Sequence, residues 1–202
     1  MHHPAFAGQM AASRVAIALL ALDLALGEYD VAVWIGEVGT SEHSLIDGFG
    51  LTALRAVVAD LKADHVDVDG QPSWALLQGE TSTGPLLASV QVPLHPVTSP
   101  QLSVHTAVLL PYAHQTPEGL PEDGSLESLR DFEDSLGATL GPDGRVVAHQ
   151  TSGGVRVLHV YVDQASDAVD RITRATRDWP EGTAAVQAQL DPSWQGVEHL
   201  RT

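Results

Sequence analysis

The chain has no cysteine. Disulfides, thiolate zinc sites and cysteine nucleophiles are thereby excluded, and the absence fits a cytoplasmic protein. Positive charge is also scarce: 10 Lys and Arg stand against 26 Asp and Glu, a formal charge of −16. Such a surface repels phosphate backbones and argues against direct nucleic-acid binding. It keeps the chain soluble and steers it toward basic partners. A long apolar run is missing as well. The nearest approach, residues 14–26 (RVAIALLALDLAL), is interrupted by Asp23 and falls short of the about 20 residues a membrane span needs. A signal peptide is disfavoured because residues 1–13 hold no lysine and no small-residue cleavage site stands out. The expectation is a buried helix, with no membrane partner. Phosphate loops, GxSxG elbows, HExxH helices and dinucleotide fingerprints are absent, as are repeats and low-complexity tracts.

What is present suits a globular protein. The 202 residues, 44% of them hydrophobic, suffice for one large domain or two small ones. The first helix is expected over residues 9–26, stopped by Gly27, with Leu19, Leu22 and Leu26 on one face and Val15 close to it. The apolar run 31–35, containing Trp34, reads as a strand. Ser44 is a candidate N-cap. Leu54, Val57, Val58 and Leu61 recur at the spacing of a buried helical stripe that starts near Leu51. Turn chemistry at residues 67–72 (DVDGQP) divides an N-terminal helix–strand–helix region, residues 1–70, from a second part, residues 71–202.

The second part opens with strands at residues 74–77 and 85–94. A strand follows in which Leu102, Val104, Thr106, Val108 and Leu110 share a face. Ser125 is placed as the cap of a helix whose stripe is Leu126, Leu129, Phe132, Leu136 and Leu140, with Asp131, Glu133 and Asp134 turned away. Gly141-Pro142-Asp143-Gly144 ends that helix. Strands 145–150 and 155–162 join around Gly153-Gly154, a hairpin signal. A helix over 163–178 directs Val169, Ile172, Thr176 and Trp179 to the core, and residues 184–190 form the last strand. The order β-α-β-β-α-β predicts an α+β fold whose second part is ferredoxin-like, an antiparallel sheet with two helices on one face.

Several motifs carry a family resemblance. Gly119-Leu120-Pro121 precedes a helix bearing Leu129 and Phe132-Glu133-Asp134; a strand 155–161 (VRVLHVY) follows; Asp191-Pro192-Ser193-Trp194 closes the unit. With the hairpin around residues 74–94, this half to two-thirds of the chain resembles the bacterial family of unknown function 695, grouped with the B-type regulators of ribonuclease E activity. The late strand departs from the family in having Leu158 and His159 before Tyr161, and the expected aromatic after Trp194 is missing. The resemblance implies a ferredoxin-like, intracellular bacterial protein and, through the ribonuclease regulators, inhibition by protein–protein contact.

Four constellations have chemical potential. His65 with Asp67 and Asp69 has the donor set for a hard metal if extended, though a polar exposed turn is the plainer reading, and no metal or cofactor is assigned. His105, His149 and His159 fall on strands of one sheet and would form a ligand or acid–base site if their faces coincide. Glu133 and Asp134 are partner-contact candidates, with Glu133 three residues from Arg130 and placed for a surface ion pair. Arg171, Arg174 and Arg177 form a basic stripe, which pairs with Asp167, Asp170 and Asp178 or clamps an acidic group. Trp194 after Asp191-Pro192 is expected to latch over a core edge with its N–H on an acceptor. The leading expectation is a non-enzymatic cytoplasmic regulator or adaptor that binds a protein. Alternatives are a small-molecule or metal-dependent enzyme using the strand histidines, and a homodimer built by sheet pairing.

Overall fold

A computed structural model describes residues 1–43, 46–65, 72–82 and 84–201. Ser44, Asp67 and Asp69, and with them the expected cap and the proposed metal turn, lie outside the described residues. The chain divides into two compact units, residues 1–72 and residues 73–202.

The first unit is helical: α1 (Ala11–Leu26), α2 (Glu28–Trp34) and α3 (Leu51–Asp64). The strand expected at residues 31–35 is instead the end of α2. Glu28 and Asp30 occupy its first turn, where carboxylates favour the helix N-terminus, and only Ile35 is extended. The stripe expected on α1 is rotated. Ala18 and Leu22 are buried, whereas Leu19 is exposed. On α3 only Val58 is buried; Val57 and Leu61 face solvent. Gly50 precedes α3 in extended backbone, so the helix does begin at Leu51.

The second unit is a mixed α+β unit built on a six-stranded antiparallel sheet. Its strands are β1 (Ser73–Thr81), β2 (Gly84–Val92), β3 (Leu102–Pro111), β4 (Gly144–Ser152), β5 (Val155–Asp163) and β6 (Ala185–Leu190), in the spatial order β1-β2-β4-β5-β3-β6. α4 (Asp123–Leu140) and α5 (Ala168–Ala175) cover one face. Leu129, Leu136 and Leu140 of α4 and Ile172 of α5 pack there on Val108, Leu110, Leu158, Val160 and Val162. Trp179 closes this core, edge-on to Phe132 at 5.5 Å, and its N–H donates to the Pro111 carbonyl at 2.7 Å.

Two helix expectations change in detail. Ser125 does not cap α4; it lies buried in the first turn, where its hydroxyl accepts from His114 N–H and donates to Glu181. α5 is shorter than residues 163–178, because residues 164–167 form turns and a 3-10 turn follows at Thr176–Asp178.

The second sheet face is covered by the chain's own end. After β6 the backbone turns at Asp191, and Trp194, Val197 and Leu200 pack against Ala88, Val90, Leu102, Val147, Ala148 and Tyr161. Two bulges set which side chains share this face. One shifts register between Leu102 and Val104, the other between Val146 and Ala148.

Gly119-Leu120-Pro121 owes its residues to close backbone packing. Gly119 has φ 79°, its carbonyl accepts from Gly154 N–H and from the Tyr112 hydroxyl, and a Cβ on it would stand 2.9 Å from Gly153 Cα. Only glycine combines that backbone conformation with that approach.

Candidate histidine cluster under the C-terminal segment

Strands β3 and β5 place His105 and Tyr161 opposite each other, with His159 two residues further along the same face of β5. The imidazoles of His105 and His159 stack at 5.2 Å, with His105 Nε2 3.0 Å from His159 Nδ1. His159 Nε2 lies 2.7 Å from Gln150 Oε1 of β4. That oxygen only accepts, so His159 Nε2 carries a proton. In the neutral ring Nδ1 is then the acceptor, and His105 Nε2–H donates to it. The tautomers thus follow from the network. His199, from the C-terminal 3-10 turn Gln195–Leu200, reaches the same Gln150 oxygen at 3.4 Å.

Both strand imidazoles are closed off, His105 at 6% and His159 at 5% exposure. Burial disfavours their charged forms. It holds His105 below its ordinary value, against the nearby Asp191 carboxylate that pulls the other way. Burial, then the neighbouring His105, His199 and His149, brings His159 down to about 3. The cluster is therefore a neutral pair of rings at pH 7.

Asp191 organises the covering segment. One carboxylate oxygen accepts from Gln195 N–H at 2.9 Å; the other accepts from Gly196 N–H at 2.8 Å and the Tyr161 hydroxyl at 2.7 Å. Burial works to raise the Asp191 carboxyl, but these donors outweigh it and hold it below the usual range. Burial, then the Asp191 acceptor, raises the Tyr161 hydroxyl well above its ordinary value, which keeps it a donor. Trp194 is fully buried, stacks on Tyr161 at 4.3 Å and donates to the Leu102 carbonyl at 2.9 Å. It is a latch, as its place after Asp191-Pro192 suggested. Gly196 closes over His105: a Cβ there would stand 2.6 Å from His105 Nδ1.

His149 does not join the other two strand histidines. The bulge at Val147 sets both Val147 and Ala148 on the His159 face and turns His149 to the helix face, opposite Leu158. There Nδ1 lies 3.2 Å from Glu133 Oε2. Glu133 Oε1 accepts from Arg156 at 2.8 Å, and Arg156 Nε donates to Thr151 at 3.0 Å. Glu133 is thus turned inward rather than away from the core, and it is bound to His149 and Arg156 of the sheet in place of the expected Arg130. Burial would raise its carboxyl; His149 and Arg156 hold it below its ordinary value. Asp134 and Asp131 are exposed, as expected.

The arginine stripe is partly used up. Arg171 binds Asp143, Asp167 and the Thr139 carbonyl; Arg174, though exposed, lies 3.7 Å from Asp167 as expected and donates to the Asp170 carbonyl, and Arg177 is exposed. His65 Nδ1 lies 2.7 Å from the Leu61 carbonyl, and its ring packs on Trp34. Among the described residues no three His, Asp or Glu side chains gather as metal ligands, and no helix is long and apolar enough to cross a membrane. Sequence reasoning missed His199, Gln150 and Gly196. None lies on a motif, and only the turn at Asp191 brings the last residues back over β3, β4 and β5.

These features define the second unit as an α+β unit with one sheet face under helices and the other under its own terminal segment. The model of the family of unknown function DUF695 matches residues 87–200. The chain belongs to that family. Comparison with curated proteins and with solved structures gives no match.

Proposed function

We propose that the protein is a non-enzymatic cytoplasmic regulator or adaptor that binds a basic protein partner through the open edge of β1. The observation that carries this reading is the state of that edge. β1 is nine residues long, has no proline or bulge, and carries Trp74 at 48% and Leu76 at 66% exposure on one face. Protected edges carry lysine, proline or a bulge; an unguarded one is a template for an added strand. Exposed Trp is a favoured anchor residue. The charge of −16 supplies steering toward a basic partner.

Two further points support the reading. The succession β3-α4-β4-β5-α5-β6, with spatial order β4-β5-β3-β6, fits the ferredoxin-like pattern. That fold and the family resemblance are compatible with the B-type regulators of ribonuclease E activity, so a ribonuclease-machinery protein is the partner class to test first. The closed imidazoles of His105 and His159 leave a substrate no access as they stand, which weighs against an enzyme built on them.

The same edge favours a second reading, a homodimer with β1 paired to β1. The test is affinity capture of tagged protein from its host with a ribonuclease-treated control, run beside the Trp74→Lys, Leu76→Lys double variant and with sizing by light scattering. A partner that survives nuclease and is lost in the variant is expected. A monomer that captures the same proteins with or without the two substitutions would remove the edge from consideration.

A further inference from the structure

The segment at residues 191–201 is held on the sheet by a short set of identifiable contacts, the Trp194 latch among them. Trp194, Val197 and Leu200 are its buried apolar groups, and the Asp191 carboxylate pins its first turn. Gln195, Glu198 and His199 are exposed. Beneath it lie the imidazoles of His105 and His159, joined in one network to the segment's own His199: His105 to His159, His159 to Gln150, and Gln150 to His199. Gly196 presses its backbone on the His105 ring, in contact that allows no water between them. We propose that residues 191–201 form a strap that releases the sheet face when the imidazoles of His105 and His159 beneath it take up protons.

The geometry opposes protonation in the closed form. With the proton of His105 on Nε2, a proton on His159 Nδ1 places two N–H groups head to head at 3.0 Å; relieving this moves the His105 proton to Nδ1, against Gly196, and a second added proton leaves no acceptor between the rings. A second cation in the stack would sit 5.2 Å from the first, with both rings out of water. The groups that face the pair offset this only in part, through the Asp191 carboxylate near His105. β5 contributes the neutral Tyr161 and β4 the uncharged Gln150, with His149 on the far side of β4. β6 contributes uncharged Gln189 opposite His105. The strap supplies one carboxylate, Asp191, already taken by three donors, and brings the Arg201 guanidinium and the His199 ring. Glu198 points to solvent.

The sign follows from the rings' depressed values. An opened imidazole titrates near about 6.5, whereas the closed pair resists charging and His159 stays neutral down to about 3. Closure is therefore fully favourable above about pH 6.5 and weakens as pH falls below it, by about tenfold per pH unit for each proton taken up on opening. Asp191 stays ionised throughout that range. It is the pivot on which the strap swings rather than the group that titrates.

Hydrogen exchange of the full chain at about pH 7.5 and about pH 5, corrected for intrinsic rates, tests this. Protection of residues 191–201 is expected to fall at least about tenfold more than that of strands β3 and β5. The His105→Leu, His159→Leu double variant is expected to keep its strap protected at both values. Equal loss across strap and strands, unchanged strap protection, or an unchanged pH response in the variant would each overturn the proposal. Should the variant not fold, imidazole NMR of the unaltered protein decides. Rings that charge together with strap opening support it; rings that charge while the strap stays protected refute it. The outcome is independent of any partner at β1.

Discussion

At the scale of single residues, Tyr161 and Asp191 show how a motif that reads as a terminus becomes structural. Asp191 spends both oxygens on donors from its own turn and from β5, and Tyr161 is the side-chain member of that set. Removing the phenol leaves a buried carboxylate short of one donor, a loss of about 1–3 kcal/mol. Tyr161→Phe is expected to destabilise by that amount in urea unfolding, and Asp191→Asn by a similar one. The two effects should be non-additive, since they share the Tyr161–Asp191 contact, although Asp191→Asn also alters the bonds from Gln195 and Gly196. A coupling below about 0.5 kcal/mol in the double-mutant cycle would show that the pair does not hold the turn. The Trp194 latch could be read from Asp191-Pro192-Ser193-Trp194 alone; its stacking partner could not, because nothing in the local sequence selects Tyr161.

Between elements, the decisive feature is a single extra residue. Strict alternation along β4 would put Arg145, Val147 and His149 on one face, and with it three strand histidines together. The bulge breaks the period, so His149 finds Glu133 and the imidazole pair is completed by His199 instead. A bulge leaves no clear mark in composition, which is why the strands of this sheet were legible while the membership of the site was not. α2 failed for a different reason. Seven residues with Val31 and Val33 suit a strand by propensity, but Glu28 and Asp30 at its start favour a helix. Glycine positions were more readable. Gly153-Gly154 was legible as a turn and Gly119 as part of a family motif, and their packing gives a test: Gly119→Ala must strain a φ of 79° and push on Gly153. It is expected to cost about 1–3 kcal/mol, seen as a lowered melting temperature, whereas Gly137→Ala, with open space around it on exposed α4, should stabilise or leave stability unchanged. Equal melting temperatures for the two variants would mean the loop tolerates a side chain.

Across the whole molecule, burial is unequally shared. Of the buried apolar residues among the described ones, the first unit holds Phe6, Ala18, Leu22 and Val58; the rest, including Trp194 and Tyr161, belong to the second. The first unit also exposes Leu20, Leu24, Ile46 and Phe49, and a concave cleft of about 640 Å³ there is lined by Leu22, Ile35, Phe49 and Leu54 among others. A unit with so few buried side chains has little to set against the conformational entropy of about 1–2 kcal/mol per ordered residue. It should open more readily than the sheet. In native-state hydrogen exchange, amides of α1, α2 and α3 are expected to exchange through openings of low free energy. The central amides of β3, β4 and β5 should require unfolding of the second unit, on the order of 5–15 kcal/mol. Slow exchange of α1–α3, matching that of β5, would show that the helical unit is stabilised by more than its own core. Occupation of the 640 Å³ cleft by an apolar small molecule, tested by adding candidate ligands and following the same amides, would then account for the extra protection.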